Sequence, residues 1–192
     1  MKVFAFVNLT LDGVMQGPAR PDEDTRDGFK LGGWAAPYDG MPSAREAMAN
    51  VGGQLFGRWT YEQFYSVWPK RPDSPFSTYF DNIQKYVASR TLKEPLPWKN
   101  STLLKGDATE AVANLRKELG KDLVIMGSGQ LIQSLMRRNL IDEYVLLIHP
   151  IVLGAGRHLF PDGGAPASLR LVSSKTTDKG VVIATYRPAE PV

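Results

Sequence analysis

Cysteine is absent from this chain of 192 residues. That excludes disulfides, thiolate metal ligands and a cysteine nucleophile at once. Histidine is scarce: His149 and His158 are the only two, and they flank a Gly-rich turn. Their spacing does not put a metal pair on one helix face, so no metal site is expected. No apolar run approaches the roughly 18–20 residues that span a bilayer, and no membrane partner is expected. The opening "MKVFAFVNLTLDG" has one lysine and a short apolar stretch but no small-residue cleavage site. It reads as a buried first strand rather than a secretion signal, and a cytoplasmic location is expected. A dominant charge sign is missing too. Lys plus Arg number 23 against 20 Asp plus Glu, a net charge of +3, and the basic residues are scattered. Nucleic-acid binders gather them on one face, so no nucleic-acid partner is expected.

The rest is ordinary for a globular chain. Apolar residues make up 43% and charged residues 22%, and the length suits a single domain over residues 1–192. Val3 to Leu9 is nearly all apolar and reads as a strand buried on both faces. Residues 10–40 are rich in glycine, proline and charge and form a long loop, a feature that is usually functional. "SAREAMANVG" reads as a helix, with Ser43 and Glu46 as a capping box and Gly52 as its stop. "QLFG" reads as a strand and "RWTYEQFYSVW" as a helix. Residues 69–78 read as a loop, and "KYVAS" and "STLLK" as two more strands. Asp107 caps a helix with Ala111, Val112, Leu115 and Leu119 on one face. "DLVIM" is a strand, and the helix after it turns Leu131, Ile132, Leu135 and Met136 inward. Residues 141–156, 168–177 and 181–188 then follow as strands alone, the last two joined as a hairpin at Asp178-Lys179-Gly180. Alternating β and α units followed by strands predict an α/β fold. Its mostly parallel mixed sheet would be covered by helices on both faces and end in an antiparallel hairpin.

Such a sheet binds ligands beyond the carboxyl ends of its strands. Two strand ends carry a glycine and then a helix: "LFGRWTYE" and "VIMGSGQL". A helix N-terminus offers free N–H donors and a positive dipole end, and glycine lets an anion approach the backbone. One such turn is weak evidence, since most strand-to-helix glycines serve geometry alone. Two in one sheet, with Arg58, Thr60 and Ser128 beside them, favour an anionic ligand such as a dinucleotide. "GSGQLI" lacks the third glycine of the Rossmann fingerprint and follows a late strand, and neither turn has the GK[ST] of a P-loop. A third strand end, "YVASRTL", sets Ser89 beside Arg90, a hydroxyl and guanidinium suited to a phosphate.

These blocks, in order over most of the chain, resemble the dihydrofolate reductase superfamily. The nearest branch is that of the bacterial riboflavin-biosynthesis reductase domain, the RibD C-terminal domain. "VNLTLDGVMQGP" is similar to that family's first strand and Leu-Asp-Gly loop, and "LFGRWTYE", "VASRTL", "MGSGQLIQSLMRRNLIDEYVL" and "HPIVLGAGRHLF" to its later turns and strands. The resemblance implies a three-layer α/β/α fold and an NADPH-dependent reductase of a pteridine or aminopyrimidine-type heterocycle. It implies that Gly57, Arg58, Trp59 and Thr60 meet the cofactor phosphates on one side. Gly127, Ser128, Gly129, Gln130 and Leu131 would meet them on the other, with Ser89 and Arg90 on the 2′-phosphate. Asp12 is the expected catalytic carboxylate, placed to order the loop or to bond the substrate. Asn8, Met15, Trp34 and Asp39 are expected on the substrate side, with Phe29 and Tyr38 as further pocket aromatics. Glu46 is a second carboxylate candidate, though also the capping partner of Ser43. A homodimer is plausible by the same resemblance. The alternatives are a nucleotide-binding protein of this fold without turnover, and a basic nucleic-acid-binding domain.

Overall fold

A computed structural model describes residues 1–38, 47–118 and 120–189. Eight strands form one sheet: β1 (Val3–Thr10), β2 (Val51–Gly57), β3 (Gln84–Ala88), β4 (Ser101–Leu104), β5 (Asp122–Met126), β6 (Glu143–His149), β7 (Leu169–Thr176) and β8 (Val182–Pro188). Their order across the sheet is β4-β3-β2-β5-β1-β6-β8-β7. The pairs from β4 through β6 are parallel, and β8 runs antiparallel to both β6 and β7. The helices are α1 (Arg58–Val67), α2 (Pro75–Asn82), α3 (Ala108–Glu118) and α4 (Gly129–Met136).

The apolar run in β1 makes it the centre of the sheet, because successive side chains leave a strand on opposite faces. Val3, Ala5, Val7 and Leu9 pack on one face with Leu55, Leu123 and Ile125, beneath Val112 of α3 and Leu131, Ile132 and Leu135 of α4. Phe4 and Phe6 pack on the other with Val124, Val145, Leu147 and Ile183. Likewise Phe56, the neighbour of Leu55, faces an aromatic cluster with Tyr61 of α1, Phe80 of α2 and Trp98. Helices thus cover both faces, as the alternation of elements predicts.

Three boundaries differ from the sequence reading. Gly52 does not stop a helix; with Gly53 it lies inside β2. Added side chains would collide there: a Cβ on Gly53 would sit 2.8 Å from Leu123 and 3.0 Å from Tyr86. These glycines serve close strand packing. The predicted capping pair Ser43 and Glu46, along with Asp39 and Leu119, lies outside the described residues. Second, the end of the expected loop 69–78, from Pro75 on, belongs to α2, whose start Ser74-Pro75 is a favoured helix opening and whose Phe76 and Phe80 share one face. Third, β6 ends at His149, where Pro150 follows and cannot donate to a ladder. Asp107 caps α3 as expected, its Oδ1 accepting the N–H of Thr109 at 2.8 Å.

Candidate active site

A cleft of about 1760 Å³ opens beyond the carboxyl ends of β1, β2, β3, β5 and β6. Single-ligand pockets occupy about 300–1,000 Å³, so this one has room for a cofactor and a second molecule. Gly57–Thr60, Ser89–Thr91 and Gly127–Leu131 all line it, as do Asn8 and Met15. The three strand ends singled out in the sequence therefore face one hollow.

The β2 and β5 turns are joined. Ser128 Oγ accepts the N–H of Gly57 at 2.8 Å and donates to Thr60 Oγ1 at 2.9 Å. To reach both, Ser128 takes the left-handed conformation, φ 63°, as does Gly127 before it, also φ 63°. Gly129 serves close packing, since a Cβ there would lie 2.6 Å from Met15 Sδ. The turn geometry thus accounts for the glycines, while the ends they create stay open. Neither α1 nor α4 has a side-chain cap on its first-turn N–H groups. Two helix ends without side-chain caps thus turn their first-turn N–H donors onto one cleft, where an anion could accept from them.

At the far end of this half, Ser89 Oγ accepts the N–H groups of Thr91 and Leu92 at 3.2 and 3.0 Å and lies 3.4 Å from Thr91 Oγ1. Arg58 links α1 to this turn, donating to Thr91 Oγ1 at 2.7 Å and to Glu62 at 2.9 Å. Arg90 makes no ion pair among the described residues.

The other half of the cleft lies over Phe6, Asn8, Leu147 and His149, on the paired strands β1 and β6. Its side wall is the long loop, organised by Gln16, a buried residue that sequence reasoning passed over. Gln16 Nε2 donates to Asp24 Oδ1 at 3.2 Å and to the Arg26 carbonyl at 3.0 Å, and its Oε1 accepts the N–H of Arg157 at 2.9 Å. Arg26 donates from Nε to Asp24 at 2.8 Å and lies over the Trp59 ring, 4.2 Å from its centroid, which fastens the loop to α1. Burial pushes the Asp24 carboxyl up, but the bonds from Arg26 outweigh it and hold the group below its ordinary range. Glu23, also on the cleft, is shifted the other way: burial raises it, and the N–H groups of Ala19 and Arg20 offset only part of that.

His149 is the second residue the sequence reading missed as a site residue; its position at a strand end was the available signal. It is 1% exposed, its Nε2 lies 2.9 Å from Asn8 Oδ1, and its Nδ1 is buried without a partner. Burial lowers its pKa to about 4.

Four expected site residues lie elsewhere. Asp12 does not line the cleft. Its carboxylate accepts the Thr10 hydroxyl at 2.5 Å and the N–H groups of Leu153 and Gly154 at 3.2 and 2.7 Å. The Thr10 bond leads in lowering its pKa to about 2. It clamps the first loop to the loop after β6, which is the ordering role alone. Trp34 is buried inside the loop, its indole N–H donating to the Gln16 carbonyl at 2.8 Å, and Phe29 packs beside it, so neither reaches the cleft. Tyr38 does not line the cleft either; its ring meets His149 edge-on.

The profile of the RibD C-terminal domain family matches residues 1–183, and the chain belongs to that family. The uncharacterized protein YyaP of Bacillus subtilis (strain 168) is 32% identical over 136 residues, covering 69% of this chain and 71% of YyaP. Among solved structures, a candidate riboflavin biosynthesis protein from Shewanella sp. PV-4 aligns over 99% of this chain and 100% of its own, with TM-score 0.70 and 23% identity. Dihydrofolate reductase from Enterococcus faecalis, solved with NADP(H), aligns over 98% and 97%, with TM-score 0.62 and 13% identity. These structural likenesses establish the dihydrofolate reductase-like fold.

Proposed function

We propose that the protein is an NADPH-dependent reductase of a pteridine or aminopyrimidine-type heterocycle, of the riboflavin-biosynthesis type. The observation that carries this reading is the pair of uncapped helix ends, α1 and α4, laced through Ser128 onto one cleft. NADPH fits these residues by charge and donor chemistry. The first-turn N–H groups of Arg58–Thr60 and Gly129–Leu131 would meet the diphosphate, and Arg90 with the Ser89 hydroxyl would meet the 2′-phosphate. Gly57, Gly127 and Ser128 would shape the two turns. When bound, the cofactor supplies a hydride. The chain's part is to bind, orient and exclude water: Met15 packs against Gly129 at the junction of the two halves, and Asn8 contributes an amide to the substrate half. The same reading places the enzyme in the cytoplasm as a homodimer.

The test is a titration followed by tryptophan fluorescence and thermal shift. Saturable NADPH binding with weaker NADH binding is the expected result. No response to millimolar NADPH would overturn the reading.

A further inference from the structure

The substrate half of the cleft has a polar feature that the cofactor does not need. His149 Nδ1 is enclosed without a partner, and its ring is met edge-on by Trp34 and Tyr38, with centroids 5.2 and 5.3 Å away. A proton on that nitrogen would be a buried unpaired donor, a costly arrangement. The imidazole therefore keeps its one hydrogen on Nε2, pointed at Asn8 Oδ1. This fixes which way the Asn8 amide faces: its oxygen is held by the histidine, and its NH2 group donates to no described residue. Asn8 is thus a fixed hydrogen-bond donor at the floor of the cleft.

Three arginines that line the cleft are already paired. Arg20 Nε lies 3.1 Å from Asp22, Arg26 is held by Asp24, and Arg157 lies 2.8 Å from Asp27. Glu23 also lines the cleft, its carboxylate accepting the N–H groups of Ala19 and Arg20 at 2.6 and 3.3 Å. An anionic group entering here would compete with these carboxylates for the guanidinium groups.

We propose, building on the reductase reading, that this half takes an uncharged heterocycle. A ring carbonyl of that substrate accepts from the Asn8 amide, and His149 acts as the positioning residue that aims the amide. The substrate differs from a phosphoribosylated pyrimidine in carrying no phosphate.

The experiment measures binding of 6-hydroxymethyl-7,8-dihydropterin and of its phosphate ester to the full chain saturated with NADP⁺. The uncharged pterin should bind at least about tenfold more tightly than the ester. Asn8→Leu should weaken the pterin by about 3- to 10-fold, the range of one neutral hydrogen bond. His149→Phe should weaken it similarly. His149→Gln, which retains an N–H donor, should restore affinity to within about threefold of wild type, a rescue that a merely space-filling role would not give. Equal or tighter binding of the ester, no binding of the uncharged pterin, or an Asn8→Leu variant with unchanged pterin affinity would each overturn the proposal. NADPH affinity measured on the same protein before NADP⁺ is added reports separately on the reductase reading, whose failure shows there and not in the pterin comparison.

Discussion

The backbone N–H of Gly57 and the hydroxyl of Ser128, 71 positions apart in the chain, meet at 2.8 Å across adjacent parallel strands. This bond sets the spacing of the two helix ends over the cleft. Ser128→Ala leaves the Gly57 N–H without its acceptor and keeps a side chain at a left-handed backbone position. The expected loss is about 1–3 kcal/mol, with NADPH affinity down about tenfold. Ser128→Gly also removes the hydroxyl but relieves the backbone strain of about 1–2 kcal/mol, so it should melt above Ser128→Ala. Thermal melts and NADPH titrations of the two variants check the order.

Arg90 should separate the two nicotinamide cofactors. A charge-assisted hydrogen bond contributes about 1.5–3 kcal/mol, so Arg90→Ala should weaken NADPH by about 10- to 100-fold and leave NADH affinity nearly unchanged. Raising the salt concentration should narrow the wild-type preference for the same reason. Parallel fluorescence titrations with both cofactors measure it.

His149 ties stability to acid. Its pKa in the fold is lowered to about 4 from an ordinary 6.5, so the folded protein binds fewer protons than the unfolded chain between those values. Stability should fall as pH drops from about 6.5 to 4, by on the order of 3 kcal/mol from this group, and then level off. His149→Gln should show a shallower fall over the same window in urea unfolding followed by fluorescence.

Lys85 acts at the opposite end of the scale. It is fully buried, donates to the carbonyls of Phe80 and Ile83 at 2.6 and 2.8 Å, and lies over the Trp98 ring. Burial lowers its pKa to about 8 from 10.5. Between those values the unfolded chain binds more protons, so stability should rise with pH from about 8 to 10.5. In Lys85→Met that alkaline rise should disappear, whatever the variant's stability at neutral pH; denaturation series at several pH values decide it.

The fold was legible because its strongest signals are periodic. The uniformly apolar Val3–Leu9, the inward stripe of Leu131, Ile132 and Leu135, and the hairpin at Gly180 each state their structure locally. The helix α2 was hidden by its prolines and serines, although Ser74-Pro75 marks a helix start as well as a loop. Gly52 misled because glycine has two uses, ending helices and letting neighbouring chain approach closely, and only Lys121, far away in the sequence, reveals which applies. The convergence of Gly57, Ser89 and Gly127 on one hollow follows from parallel strands ending on the same side, which the sequence pattern contains. The roles of Asp12, Trp34 and His149 depend on partners more than 100 residues away or on the path of an irregular loop. No local pattern encodes those contacts.

Gln16 joins Asp24, Arg26 and Arg157 through one buried amide and takes the Trp34 indole on its carbonyl. The side wall of the cleft is therefore a single plate rather than a string of independent positions. Anyone redesigning substrate choice would have to transplant residues 15–36 together with position 157 as one cassette, because a piecemeal exchange severs the hub before it reshapes the surface.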